Sequence, residues 1–145
     1  MKIAMGADHA GFELKEKLKG YLSGKGHEVL DLGTHSTERV DYPDFGFAVG
    51  KAVAEGRAER GVLCCGTGIG IGIAANKVPG IRCGVPNDLF ATRLMREHND
   101  ANVISFGARQ MAPPLCEAML DVFLETAFAG GRHAGRIEKL NAFNG

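Results

Sequence analysis

The densest chemistry in the sequence lies in Cys64-Cys65-Gly66-Thr67-Gly68-Ile69-Gly70-Ile71-Gly72-Ile73-Ala74-Ala75-Asn76-Lys77, where two thiols and a hydroxyl run into alternating glycines. Glycines remove the Cβ atoms that would keep an anion away from successive backbone N–H groups, and a helix beginning there adds the positive end of its dipole. The stretch reads either as a cradle for a phosphate or oxyanion, or as glycines serving close helix–strand packing. It is not a Walker A loop, because no GK[ST] follows, and the dinucleotide fingerprint fits only in a variant form at Gly70, Gly72 and Ala75. Cys65 is the last residue before the turn. A strand end facing a helix N-terminus is where proteins favour a thiolate, which makes Cys65 a candidate base or nucleophile. Strand side chains alternate faces, so Cys64 points the other way; Cys64, Cys83 and Cys116 read as buried, inert thiols.

Other reactive types fall at comparable places. Asp8 and His9 follow the first apolar run and put a carboxylate and an imidazole on the rim that holds Cys65. Asp8 alone would serve as a helix cap; beside His9, a site role fits better. Tyr42, in Asp41-Tyr42-Pro43-Asp44, offers a hydroxyl or simply an aromatic packed on proline. His98 and Asn99 end a helical pattern, where a histidine also suits the negative end of the helix dipole, and Arg109 follows the fifth apolar run. Arg132 and Arg136 are four residues apart, so one helical face presents two guanidinium groups that fit a phosphate, although spacing alone favours a solvated basic face.

The elements that must position these groups alternate along the chain. Lys2–Gly6, His27–Gly33, Gly61–Cys65, Ile81–Pro86 and Asn102–Gly107 have the length and content of buried strands. Between them, Leu14, Leu18, Tyr21 and Leu22 repeat at helical spacing, as do Phe45, Ala48, Val49, Ala52 and Val53 after Pro43. Asn87 or Asp88 caps a helix bearing Phe90, Leu94 and Met95; Pro113 and Pro114 open one bearing Leu115, Met119, Val122 and Phe123; a last helix spans about His133–Phe143. This alternation predicts one doubly wound, Rossmann-like three-layer α/β/α domain over residues 1–145 with a five-stranded parallel sheet, and ligands bound beyond the carboxyl ends of its strands.

Composition limits the partners. Seventeen Lys and Arg cancel seventeen Asp and Glu, there is no Trp and there are only two Tyr, which argues against nucleic acid and anionic membranes. The N-terminus MKIAMGADHAG lacks the apolar stretch of a signal peptide and no 18-residue apolar run occurs, so a soluble cytoplasmic protein with four free thiols is expected. The 21 glycines in 145 residues are about twice the usual share, as tight turns and backbone–ligand approach require.

Taken together, GADHAGFELK, Thr37-Glu38-Arg39-Val40-Asp41-Tyr42-Pro43, CGTGIGIGIAANK, EHNDANVISFGAR and GGRHAGRI resemble the type B ribose-5-phosphate isomerase family, which includes galactose-6-phosphate isomerase subunits; the match is colinear over essentially the whole chain. Composition and spacing alone reach only a phosphate-binding α/β enzyme. The resemblance implies the reaction, interconversion of an aldose phosphate and a ketose phosphate through an enediolate, with no metal or cofactor, in homodimers or dimers of dimers whose sites are shared between subunits. It implies that Cys65 is the base between C1 and C2 and that the amides of Gly66, Thr67, Gly68, Ile69 and Gly70 hold the enediolate oxygen. His98, Asp8 and Thr67 would open the furanose ring. His9, Arg132 and Arg136 would bind phosphate, with Tyr42, Asn99 and Arg109 also touching substrate, and the C-terminal helix would complete the phosphate site or the dimer interface. A subclass replaces the cysteine and uses a glutamate where this chain has Ile71, so the cysteine variant is the consistent one. Ribose 5-phosphate is the expected substrate; galactose 6-phosphate, allose 6-phosphate and erythrose 4-phosphate share its reacting end, and a nucleotide-binding module is the reading from another class.

Overall fold

The computed structural model describes residues 1–143. Along the chain run β1 (Lys2–Ala7), α1 (Phe12–Gly24), β2 (Glu28–Asp31), α2 (Tyr42–Ala54), β3 (Arg60–Cys65), α3 (Ile69–Asn76), β4 (Cys83–Gly84), α4 (Leu89–Glu97), β5 (Val103–Gly107), α5 (Pro113–Glu125), a 3₁₀ turn (Gly131–His133) and α6 (Ala134–Ala142). The five strands form one parallel sheet in the order β2-β1-β3-β5-β4. Chain order reverses between β1 and β3, so the crevice beyond their carboxyl ends is the switch point where ligands bind in such sheets. The two strand ends there are Ala7, leading to Asp8, and Cys65.

Strand alternation divides the core. Ile3, Met5, Val62 and Cys64 face α1, α4 and α5, where Leu14, Leu18, Met95, Met119 and Phe123 complete one buried cluster. Ala4, Leu63 and Cys65 face α2 and α3, packing on Val49, Ala52, Ile71 and Ala75. Each fully buried aliphatic side chain stabilises the fold by roughly 1.5–3 kcal/mol relative to its exposed state. The opposite facing of the two adjacent cysteines follows from the pleat, as expected.

Two strands are shorter than the apolar runs predict. The run His27–Gly33 is regular strand only over Glu28–Asp31, although the Leu32 N–H still donates to the Met5 carbonyl and the Ala7 N–H to the Gly33 carbonyl, and Ile81–Pro86 is strand only over Cys83–Gly84. Both are edge strands, and an edge offers a neighbour on one side only. At β4 the outer side is closed by a side chain: the Asn76 amide donates to the Cys83 carbonyl at 3.0 Å and accepts the Cys83 N–H at 2.8 Å. Elsewhere the punctuation residues act as predicted. Asp88 caps α4 by accepting the Ala91 N–H at 2.7 Å, and Pro113 opens α5.

One ion pair is set inside this frame. Lys15 of α1 is completely buried and donates to both Asp31 oxygens at 2.7 and 2.8 Å, while Lys19 donates to Asp31 at 2.9 Å. Burial opposes ionisation of Asp31, but the bonds from Lys15, the Gly33 N–H and Lys19 outweigh it and bring the carboxyl down to about 2. Among the described residues, no helix is long and apolar enough to cross a membrane.

Candidate active site

The carboxyl edge of the sheet gathers one group of the expected residues. Both cysteines are buried, Cys65 keeping 5% exposure and Cys64 none. The turn after Cys65 wraps over its sulfur, with the Gly68 N–H donating to Cys65 Sγ at 3.1 Å. Gly68 has φ +78°, a left-handed conformation natural to glycine, and an added Cβ would stand 2.8 Å from the Phe106 backbone. Its carbonyl is fixed by the buried Ser105 hydroxyl at 2.7 Å. The N–H groups of the turn are thus aimed by β3, β5 and α3 rather than by flexible side chains. Thr67 Oγ1 accepts the Ile69 N–H at 3.2 Å, which leaves the Thr67 hydroxyl proton for another acceptor.

Asp8 and His9 stand beside this turn because β1 pairs with β3 and the Asp8 N–H donates to the Cys64 carbonyl at 3.2 Å. The loop can come that close only because residue 11 is glycine; a side chain there would collide with the Cys64 carbonyl. Asp8 Oδ1 accepts the N–H groups of Ala10 and Gly11 at 3.0 and 3.1 Å, which fixes the carboxylate in the turn before α1; the helix itself is capped by Gly11 and not, as the sequence allows, by Asp8. His9 Nδ1 accepts the Val40 N–H at 3.2 Å, so the neutral ring carries its proton on Nε2, a donor for an anionic oxygen. Two further residues close on the turn. An added Cβ at Gly70 would lie 2.8 Å from the Tyr42 ring, and one at Gly66 would lie 3.3 Å from the Arg109 guanidinium.

The remaining thiols are held protonated; Cys64 and Cys116 are buried as expected, whereas Cys83 is only half-buried, at the edge strand β4. Burial pushes the Cys64 thiol well up, the Cys83 thiol up to about 12 and the Cys116 thiol up to about 11, so all three stay protonated at neutral pH. Among the described residues, no three His, Cys, Asp or Glu side chains converge as a metal site.

His98, Asn99, Arg132 and Arg136 do not join Cys65 within one chain. His98 ends α4 just before β5, and β5 runs in register with β3 from Val103 opposite Gly61 to Gly107 opposite Cys65. Four residue steps along a strand put about 13 Å between these levels, so the four residues occupy the amino edge of the sheet. Arg136, exposed on α6, borders with His98, Asn99, His133 and Ile137 a cleft of about 370 Å³, and Arg132, also exposed, immediately precedes His133 in the 3₁₀ turn. A larger hollow of about 640 Å³ adjoins the cleft along β4, between Lys77, Arg82, Asn99 and Phe143.

Sequence reasoning gave no role to His133. Its ring stacks on His98, with centroids 4.3 Å apart and planes 16° from parallel. Burial, then the neighbouring His98, Arg132 and Arg136, push its pKa down, which favours a neutral ring against the cationic arm. Thirty-five positions separate the two histidines, so no local pattern announces the stack.

Comparison with known proteins follows this geometry. A family model described as Ribose/Galactose Isomerase matches residues 3–140. The chain is 46% identical over 141 residues to ribose-5-phosphate isomerase B of Escherichia coli K12, covering 97% of this chain and 95% of that one. It is 44% identical over 128 residues to a galactose-6-phosphate isomerase subunit of Clostridium acetobutylicum, covering 88% and 74%. Among solved structures, ribose-5-phosphate isomerase B of Clostridium thermocellum superposes with a TM-score of 0.96 at 49% identity, over 97% of this chain and 95% of that one.

Proposed function

The chain belongs to the ribose/galactose isomerase family and is an aldose–ketose isomerase of sugar phosphates, and from that premise we propose that it interconverts ribose 5-phosphate and ribulose 5-phosphate, with Cys65 as the base. The carrying observation is the placement of Cys65 Sγ directly under the Gly66–Gly70 turn, with the Gly68 N–H aimed at it. An α-hydroxy carbonyl proton is weakly acidic, so its removal needs both a positioned base and fixed donors for the oxyanion that develops. Cys65 takes the proton from C2 as the C1 carbonyl oxygen becomes negative. Amides of the Gly66–Gly70 turn hold that charge, the O2 hydroxyl proton passes to O1, and Cys65 returns its proton to C1 as C2 becomes the carbonyl.

Before this, the furanose must open. The C1–ring oxygen bond breaks as the ring oxygen takes a proton from His98 and the C1 hydroxyl loses one towards Asp8 and Thr67. His9, Arg132 and Arg136 hold the phosphate, which accepts bidentate bonds from arginine, and Asn99, Arg109 and Tyr42 contact the sugar.

These roles need residues from both edges of the sheet at one substrate. In our reading a second copy docks so that its His98, Asn99, Arg132 and Arg136 reach the Cys65 turn, and symmetry repeats the arrangement to make two equivalent sites. Ile69 and Ile73, 55% and 57% exposed on α3 beside the turn, supply apolar surface for that contact. The four thiols are free, as suits the cytoplasm.

The test is kcat/KM for ribose 5-phosphate against galactose 6-phosphate, allose 6-phosphate and erythrose 4-phosphate, with and without chelator. A preference for ribose 5-phosphate supports the reading; a tenfold preference for a hexose or tetrose phosphate reassigns the substrate. The 44% identity to a galactose-6-phosphate isomerase subunit makes the hexose phosphate the second reading.

A further inference from the structure

We propose that Arg96 is a positioning residue for the isomerisation site: it binds the His98–Asn99 turn and the segment leading to Arg132 into one rigid unit, keeping the ring-opening group and the phosphate-binding arm at a fixed separation. This rests on the roles given above to His98 and Arg132.

Arg96 lies in the last turn of α4 and is only 4% exposed. A buried guanidinium is tolerated only where its donors are met, and here they are met by two separate segments. Its NH1 donates to Asp100 Oδ1 at 2.9 Å and to the Ala101 carbonyl at 2.7 Å, both just past His98 and Asn99. Its Nε donates to the Thr126 carbonyl at 3.0 Å, where α5 ends and the stretch towards Arg132 begins. The Ala129 N–H, donating to the Glu97 carbonyl at 3.0 Å, ties the same two segments again.

The turn itself is held in a conformation that needs support. Asp100 has φ +46°, a left-handed geometry that a non-glycine residue keeps only where its surroundings demand it. Arg82 supplies the other half of the demand, donating from Nε to the Asn99 and Asp100 carbonyls at 3.1 and 3.0 Å. From Arg82 a further donor reaches Asn141 of α6 at 2.9 Å. The stack of His133 on His98 then joins arm to turn at their functional ends. An apolar residue could fill the volume of Arg96, but it could not join a carboxylate and two carbonyls across two segments.

The experiment compares Arg96→Met, Asp100→Ala and Asp100→Asn with the parent in kcat and KM for ribose 5-phosphate, the inhibition constant of inorganic phosphate, the thermal midpoint, and the rate at which iodoacetamide modifies Cys65. Expected for Arg96→Met are a cooperative fold, an unaltered Cys65 rate, at least tenfold weaker phosphate inhibition and a KM raised in step, because misplacement by about 1 Å costs up to 10²-fold. The kcat falls as well. Asp100→Ala moves the same quantities less, and Asp100→Asn stays within about threefold, since asparagine tolerates left-handed backbone.

If Arg96→Met lowers the thermal midpoint and leaves kcat, KM and phosphate inhibition within twofold, Arg96 only stabilises the fold and the proposal is overturned. Should Arg96→Met not fold, Asp100→Ala decides, because that side chain is 35% exposed and its loss leaves the core intact; parent-like kinetics in it overturn the proposal too. Arg132→Ala separates the two readings. Unchanged phosphate inhibition in that variant removes the phosphate arm from the function proposed above, whereas a loss there with none in Arg96→Met sinks the positioning role alone.

Discussion

At the carboxyl edge of the sheet, Cys65, Thr67 and Asp8 are held by main chain: strand register, the Gly68 turn, and amides that fix both the sulfur and the carboxylate. At the amino edge, His98, Asn99 and Arg132 are held largely by other side chains: Arg82 and Arg96 clasping the turn at Asp100, and a second histidine lying on the first. The contrast has a mutational meaning. A functional group at the first edge can be removed while its neighbours keep their places, whereas at the second edge the supporting side chains matter as much as the groups they support.

The largest effect should therefore be a clean chemical one at the carboxyl edge. Cys65→Ala is expected to lower kcat by about 10³-fold or more, towards the upper range for loss of a general base, with the inhibition constant of inorganic phosphate changed by less than threefold. Steady-state kinetics with phosphate as competitor checks both, and near-parent turnover would remove Cys65 from the role of base. Cys116→Ala serves as the contrast, since that protonated thiol lies in the opposite cluster and should leave turnover unaltered.

Mixing variants sets the two edges against each other. If each site takes Cys65 from one subunit of a dimer and His98 from the other, as proposed, then unfolding and refolding Cys65→Ala and His98→Asn together makes mixed dimers in which one site is wholly intact. Random pairing of two such chains gives half mixed dimers with one good site of two, so activity should return to roughly a quarter of the parent's. Activity that stays at the level of the separate variants would mean that both halves of a site come from one chain, against the edge-to-edge separation.

How far the sequence could reach follows the same division. The carboxyl edge was legible because its determinants are local: an apolar run sets the strand, the glycines next to Cys65 set the turn, and alternation tells Cys64 from Cys65. Asp8 and Cys65 each lie at the end of an apolar run, which puts both on the carboxyl rim, and the pairing of β1 with β3 sets them side by side. At the amino edge the individual residues could be named but not their arrangement. The His98–His133 stack and the Arg96 bonds to Thr126 join positions about thirty residues apart, and neither leaves a periodic trace. Edge strands β2 and β4 were overextended for a related reason, since apolar content says nothing about a missing neighbour.

A moderate effect is expected at the arm. Arg132→Ala or Arg136→Ala should raise KM for ribose 5-phosphate by roughly ten- to a hundredfold with a smaller change in kcat, as losing a charge-assisted bond to phosphate costs about 1.5–3 kcal/mol. Both side chains are exposed, so the thermal midpoint should hardly move. An unchanged KM in both variants would leave the cleft at His98 without a phosphate-binding function.

The smallest effect on turnover belongs to the ion pair behind the carboxyl edge. Asp31 Oδ1 accepts the Gly33 N–H at 3.0 Å, and the Gly33 carbonyl accepts the Ala7 N–H at 2.7 Å, one residue before Asp8. Because the folded protein holds the Asp31 carboxyl down at about 2, against about 3.8 when unfolded, the folded state binds fewer protons between these values. The stabilisation is complete above about pH 4 and is lost as pH falls towards 2, a decline on the order of 2 kcal/mol from this group. Urea unfolding at pH 7, 4 and 2.5 should resolve it against Lys15→Met/Asp31→Leu, in which the buried pair is replaced by apolar groups and that part of the acid sensitivity disappears. Turnover at pH 7 should stay within about twofold, because backbone bonds between β1 and the segment after β2 remain to hold Asp8 in place. An equal acid decline in the double variant would assign the sensitivity to other carboxylates, and a large loss of turnover would mean that the carboxyl edge, too, depends on a side-chain brace.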